Sequence, residues 1–171
     1  MRSLTYFINI LKKFNIQPIS ISEISAISLV HKLCFIETYV GILDLNFLIE
    51  RKVSEIEKYW IKKISDKTVE SYKFIFNDRI IGFISMGASR NPNFGGYEIY
   101  NFYIIKEFQN FGFGSYAFNQ LMKNKPNFYV EVIARNRVGC KFYEKQHGKK
   151  LTRFYERYGE RKIMNQVYVW K

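Results

Sequence analysis

The residues best suited to chemistry lie in one short window, Gln109-Asn110-Phe111-Gly112-Phe113-Gly114, of the form Q-x-x-G-x-G. Backbone N–H groups at the start of a helix lack intrahelical acceptors, and the helix dipole favours negative charge there. Gly112 and Gly114 carry no Cβ, so the main chain can approach an anion closely. The chemistry on offer is therefore a cradle for a phosphate or pyrophosphate. It differs from a P-loop, which needs Gly-Lys-Ser/Thr, and from a dinucleotide fingerprint, which needs a third glycine at its own spacing. His31 and His147 lie far apart, and Cys34 and Cys140 lack ligand spacing, so no metal is expected. Ser115 and Cys140 show no nucleophile–base arrangement.

A cradle of this kind needs a strand before it and a helix after it. The run 97–105 (YEIYNFYII) is a strand too apolar on both faces for a sheet edge. After the glycines, Ala117, Phe118, Leu121 and Met122 mark one side of a helix, which Pro126 and Asn127 close. Residues 128–134 form the next strand and 138–146 the next helix, which together make a βαβ unit. Two β-like runs, 151–158 and 163–170, end the chain around Gly159-Glu160. Upstream, 16–19 reads as a short strand. Ser22 caps a helix with Ile24, Ile27, Val30, Leu33 and Cys34 at helical spacing. Residues 48–64 read as one further helix, marked by Val53, Ile56, Tyr59 and Trp60. Val69–Phe76 and 80–86 form a hairpin around Asn77-Asp78-Arg79, and 91–96 (NPNFGG) is the clearest loop. The fold class is α/β, with a mixed, mostly antiparallel central sheet flanked by helices.

At 171 residues, 47% hydrophobic and with three prolines, the chain suits one domain and excludes disordered and collagen-like classes. The segment 4–11 (LTYFINIL) is an amphipathic leader rather than a signal peptide, so residues 1–14 are set apart from a single domain over 15–171. No stretch approaches the ~20 apolar residues of a membrane-spanning helix, and two cysteines make no disulfide scaffold; a cytoplasmic setting is expected, with no membrane partner. The net charge of +12 is concentrated in residues 97–171, with 14 basic and 6 acidic side chains, and favours anionic partners. The same excess follows from a composition rich in lysine, asparagine and isoleucine, so charge alone identifies no partner.

About 22 residues beyond the glycine window comes Asn136, then Phe142-Tyr143-Glu144-Lys145, of the form N-x(5)-F-Y-E-K on a helix. Strand, Q-x-x-G-x-G, helix, strand and this motif together resemble the bacterial small-domain members of the GNAT superfamily of acetyl-CoA-dependent N-acetyltransferases. The resemblance is close over 97–171. Upstream, Val30-His31 and the run from Phe35 to Gly41 resemble a first-helix motif of a bacterial GNAT subgroup, with Val30 in place of leucine and Phe35 in place of tryptophan.

The resemblance implies that acetyl-CoA is the co-substrate. Gln109, Asn110, Phe111, Gly112, Phe113, Gly114 and Ser115 would hold its pyrophosphate, and Phe102, Tyr103 and Ile104 would lie along the pantetheine arm. Asn136 would cap the following helix and touch that arm. Glu98, eleven residues before Gln109, takes the position of a general base, and Tyr143 that of the tyrosine that protonates the departing thiolate. Thr38 and Tyr39 would line the acceptor pocket. Phe111 stands where a basic residue is usual, and Gln146-His147 replace a Leu-Gly pair. The implied function is N-acetyl transfer to a primary amine of a small molecule or peptide, by direct attack in a monomer or homodimer. Two alternatives stay open. One is a translation-targeting acetyltransferase acting on aminoacyl-tRNA or a ribosomal protein, which the basic, aromatic segment 135–171 would suit as an RNA surface. The other is a non-catalytic CoA-binding regulatory module.

Overall fold

In the computed structural model, which describes residues 11–171 apart from Pro92, Gly95 and Pro126, the apolar runs assemble into one seven-stranded sheet. The strands are β1 (Phe14–Pro18), β2 (Val69–Phe76), β3 (Arg79–Ala88), β4 (Tyr97–Ile104), β5 (Phe128–Ile133), β6 (Lys149–Tyr158) and β7 (Arg161–Trp170). Their order is β1-β2-β3-β4-β5-β7-β6, and every neighbouring pair is antiparallel except β4 and β5. The mixed, mostly antiparallel sheet expected from the sequence is thus present. Asn77 and Asp78 both take left-handed φ, 47° and 61°, as the two-residue turn between β2 and β3 requires.

Helices cover both faces. Residues of α4 (Phe113–Met122) and α5 (Arg137–Lys145) pack on one face with Ile84, Met86, Ile99, Val130 and Val132. The other face carries α1 (Ile24–Tyr39), α2 (Leu45–Glu50) and α3 (Val53–Ser65), whose Ile27, Ile56 and Trp60 pack against Phe83. Alternation along each strand therefore decides which helical layer a side chain meets. Among the described residues, no helix is long and apolar enough to cross a membrane.

Several elements depart from the sequence reading for identifiable reasons. The turn into α1 begins at Ser20, whose N–H and hydroxyl both donate to the Glu23 carboxylate (3.0 and 2.8 Å); Ser22 lies inside the turn. The buried stripe of α1 runs through Ile24, Ile27, Ser28, His31, Cys34 and Phe35, while Leu33 is exposed. The single helix expected over 48–64 is two. Lys32 donates from Nζ to the carbonyls of Leu48, Ile49 and Arg51 (2.7, 2.7 and 2.6 Å) and so terminates α2. Glu55 then accepts from the Lys52 N–H (3.2 Å) and starts α3. The boundary expected after residue 14 falls inside β1, because Phe14 is buried and stacks on Phe113 at 4.7 Å. Residues 1–10 of the expected leader, Pro92 and Gly95 of the 91–96 loop, and Pro126 lie outside the described residues.

The Lys32 cap leads to a test. Lys32→Met should remove three charge-assisted hydrogen bonds and lower unfolding free energy by roughly 1–2 kcal/mol, read from urea denaturation. An unchanged midpoint would show that the break between α2 and α3 is held by packing alone.

Candidate active site

Strands β4 and β5 pair at Tyr97–Phe128, Glu98–Tyr129 and Ile99–Val130, and their register ends there. A bulge explains the divergence. Against β3, Met86 pairs with Ile99 and Ser85 with Asn101, which leaves Tyr100 as an extra residue that bends β4. Tyr100 is pinned from two sides: its hydroxyl donates to the Ala88 carbonyl (2.6 Å), and the Lys63 ammonium sits 3.5 Å from its ring centroid. Beyond the bulge, residues 101–104 of β4 pair with β3 on one side and, among the described residues, with no strand on the other. Main-chain donors and acceptors along that open edge suit a chain of amides laid beside them.

At the far end of this edge, Gln109 turns its side chain back, donating Nε2–H to the Ile104 carbonyl at 2.8 Å. Asn110 and Gly112 both adopt left-handed φ, 64° and 87°, and α4 begins immediately afterwards. Tyr116 is the first residue of α4 to bond backward, to the Gly112 carbonyl (2.9 Å). The N–H groups of Phe113, Gly114 and Ser115 have no acceptor among the described residues. Donors so placed at the start of a ten-residue helix suit an anion. Gly114 serves packing instead: a Cβ there would stand 3.3 Å from the Phe142 ring. The Ser115 hydroxyl accepts from Gln146 (2.9 Å), so α4 is tied to the end of α5. Phe111 stacks on Phe113 with centroids 6.0 Å apart.

On the other lip of the divergence, Asn136 caps α5 by accepting the Gly139 N–H (2.9 Å). Two turns further, Tyr143 is buried, and its hydroxyl makes no hydrogen bond among the described residues. Burial, reinforced by Tyr39, holds its phenol well above the usual tyrosine range. Phe102 and Ile104 share the apolar cluster of α4 and α5, whereas Tyr103 points to the opposite face and donates to the Tyr39 hydroxyl (3.2 Å). Arg51, placed by the break between α2 and α3, lies 4.8 Å over the Phe35 ring and influences both tyrosines. Thr38 is half-buried and makes no side-chain hydrogen bond among the described residues. His31 packs among aromatic rings, 5.0 Å from Phe83, and burial pushes its imidazole down to about 3.

Glu98 is fully buried, and both its oxygens are occupied. Oε1 accepts from Arg90 Nε (2.9 Å) and Nη2; Oε2 accepts from the Arg90 N–H (2.9 Å) and the Tyr129 hydroxyl (2.8 Å). A different carboxylate stands beside it. Glu131 on β5 is the first residue after the last β4–β5 pair. It is half-buried and makes no hydrogen bond or ion pair among the described residues. Burial, then the neighbouring Glu98, push its carboxyl up to about 7, with Arg90 opposing and Glu156 reinforcing. Glu131, Arg90 and Tyr129 had no motif to announce them. The available signal was a carboxylate inside the apolar strand sequence FYVEVI.

The geometry has counterparts. No curated protein matches the sequence. Among solved structures, the chain is similar to the PaiA N-acetyltransferase from Thermoplasma acidophilum in complex with coenzyme A: 21% identity, TM-score 0.69, covering 91% of this chain and 99% of that one. It is also similar to a Salmonella typhimurium acetyltransferase that modifies the N-terminal serine of a 50S ribosomal subunit protein, at 13% identity and TM-score 0.71, covering 92% and 94%. A third is Arabidopsis thaliana NAA60 in complex with a bisubstrate analogue, at 12% identity and TM-score 0.69, covering 92% and 97%. At these identities the likeness is one of fold. The model of the GNAT acetyltransferase family matches residues 37–149, which hold the bulge, the glycine loop, the diverging strands and α5, and the chain belongs to that family.

Proposed function

We propose that the protein transfers an acetyl group from acetyl-CoA to a primary amine of a small molecule or peptide, by direct attack without a covalent enzyme intermediate. The observation that carries the reading is that the N–H groups of Phe113–Ser115, at one end of the open β4 edge, have no acceptor among the described residues, with Tyr143 electrostatically coupled to Tyr39 and Tyr103 at that opening. Acetyl-CoA supplies an activated thioester carbonyl when bound. Phe113, Gly114 and Ser115 hold its pyrophosphate through main-chain donors, which work without the basic residue that Phe111 replaces. Gln109 and Asn110 shape that loop, and residues 102–104 receive the amide-bearing arm. Main-chain donors on the same edge stabilise the oxyanion that develops on attack. Asn136 holds α5, and Tyr143 with it, against the site.

The chemistry assigns unequal roles to the two predicted catalytic residues. Moving a proton from a phenol held above its usual range to a thiolate, whose reference pKa is about 8.5, is uphill. Tyr143 therefore donates a hydrogen bond to the leaving sulfur and keeps its proton. Glu98, with four donors on its two oxygens, orients Arg90 and Tyr129 as a positioning residue and has no free lone pair aimed at an amine. Tyr39 and Tyr103 wall the acceptor side.

The ribosomal or RNA-directed reading draws on the basic C-terminal segment. Part of that charge is already engaged: Lys150 pairs with Glu144 (2.8 Å), Arg153 donates to Gln166 (2.8 Å), and Arg161 lies 3.5 Å from Asp44. Salt-insensitive turnover would agree with the smaller acceptor.

Three outcomes test these roles. Acetyl-CoA at 100 times its Kd should stabilise the wild type by about 2.7 kcal/mol, seen as a rise in Tm. Gly112→Val, strained at its left-handed φ by ~1–2 kcal/mol, should lower the ligand-free Tm modestly and abolish that rise. An unchanged rise would place the pyrophosphate elsewhere. Tyr143→Phe should lower kcat by about tenfold with acetyl-CoA KM nearly constant, in assays of thiol release. Glu98→Gln should cost roughly 1–3 kcal/mol of stability while kcat/KM keeps its acid limb, moved to lower pH because a charge that raises Glu131 is gone. Loss of the acid limb would return the base role to Glu98.

A further inference from the structure

We propose that Glu131 is the general base of the transfer: its carboxylate takes the proton from the acceptor ammonium on the α1–α3 face of the sheet. The inference rests on the acetyltransferase reading and names the residue that completes it.

Position is the first argument. Glu131 directly follows Val130, the last β5 residue with a partner on β4. It therefore stands at the vertex of the divergence, where the open edge of β4 begins beside β5. Alternation puts it on the same face as Tyr129, and so beside Glu98, while Val130 and Val132 point to α4 and α5. That is the face on which Tyr39 and Tyr103 wall the acceptor site.

Availability is the second. Two carboxylates share this floor, and the structure treats them oppositely. Glu98 is satisfied by Arg90 and Tyr129, whereas Glu131 is half-buried with both oxygens free of protein donors among the described residues. A carboxylate withdrawn from water with no partner is stabilised by an arriving ammonium.

Charge is the third. The charged groups facing Glu131 are Glu98 on β4, Arg90 on the segment after β3, and Glu156 on β6. The two carboxylates disfavour its ionisation and the guanidinium favours it. With burial they bring it to about 7, where a base is half-ionised near neutrality and still basic enough to accept a proton.

The step balances as follows. Glu131 takes one proton from R–NH3+ to give the neutral amine. The nitrogen lone pair forms the C–N bond to the acetyl carbon as the C–S bond breaks. The nitrogen's second proton leaves to water, and the sulfur departs as a thiolate that is protonated in solvent. Glu131 returns its proton to solvent.

The experiment follows thiol release from acetyl-CoA with spermidine, L-lysine, tyramine and a tetrapeptide bearing a free α-amine, for wild type, Glu131→Gln and Glu131→Asp, from pH 5.5 to 10. For each accepted amine, wild-type kcat/KM should rise through an acid limb near 7 and fall only as the amine itself deprotonates. Glu131→Gln should lose ~10²–10⁴-fold at pH 7, with the acetyl-CoA-induced Tm rise retained, and its activity should climb toward the amine's own pKa. Glu131→Asp should keep part of the activity and the acid limb. Glu131→Gln with wild-type rate and pH profile overturns the proposal and leaves the acetyltransferase reading standing. A wild type that gains Tm with acetyl-CoA yet acetylates none of the panel overturns that reading, and the proposal with it.

Discussion

The candidate site depends on one constraint: β4 and β5 pair in parallel for three residues each and then part. A strand edge inside a sheet normally has its hydrogen bonds met on both sides. Here the Tyr100 bulge bends β4 away, and Lys63 and the Ala88 carbonyl hold the bulged residue in place. The opening gives the β4 main chain a free edge, brings Tyr143 from the α5 face toward Tyr39 and Tyr103, and leaves Glu131 at the vertex. Close pairing along the full length of β4 would remove all three. The closing elements are as specific as the opening ones. The Asn136 cap fixes α5, and the Gln146–Ser115 bond ties the end of α5 to the start of α4.

Electrostatics divides the floor of the site into a settled half and an unsettled half. Glu98, Arg90 and Tyr129 form a closed set in which each buried polar atom has a partner, and such sets rigidify what they touch. Glu131 lies beside that set without joining it. Burial and the Glu98 charge both disfavour the charged form of Glu131, which has no donor among the described residues. On the proposed reading, the cleft is thus poised for a cation that arrives with the acceptor. The aromatic wall around His31 does the reverse. Burial keeps that imidazole neutral, so the histidine of the first-helix motif contributes shape to the aromatic cluster and no charge.

Much of this was legible in the sequence, and the exceptions have physical causes. The Q-x-x-G-x-G window is local chemistry, so its turn, its left-handed Gly112 and the helix that follows are where the spacing put them. The asparagine cap at 136 is local in the same way. The break between α2 and α3 was not legible, because the residue that causes it, Lys32, sits on another helix. The buried stripe of α1 was misplaced because hydrophobicity favoured Leu33 over Ser28 and His31, which tertiary packing buries instead. Glu98 was singled out by the family resemblance at its spacing from Gln109, but that spacing says nothing of its partners. Its four donors come from Arg90 and Tyr129, and only the assembled sheet brings them together. Glu131 had only its place in an apolar strand to mark it, because what sets it apart is the absence of any such partner among the described residues.

The central claim is that the open edge of β4 and the start of α4 receive acetyl-CoA, and backbone amide NMR during a titration with CoA tests it most directly. The account predicts the largest 1H–15N shifts at Phe113, Gly114 and Ser115, with a second group at Phe102–Ile104 and on β5 past Val130, while β1 and β6 stay still. Saturable shifts confined to β6 and β7, with the amides of residues 113–115 unmoved, would contradict it.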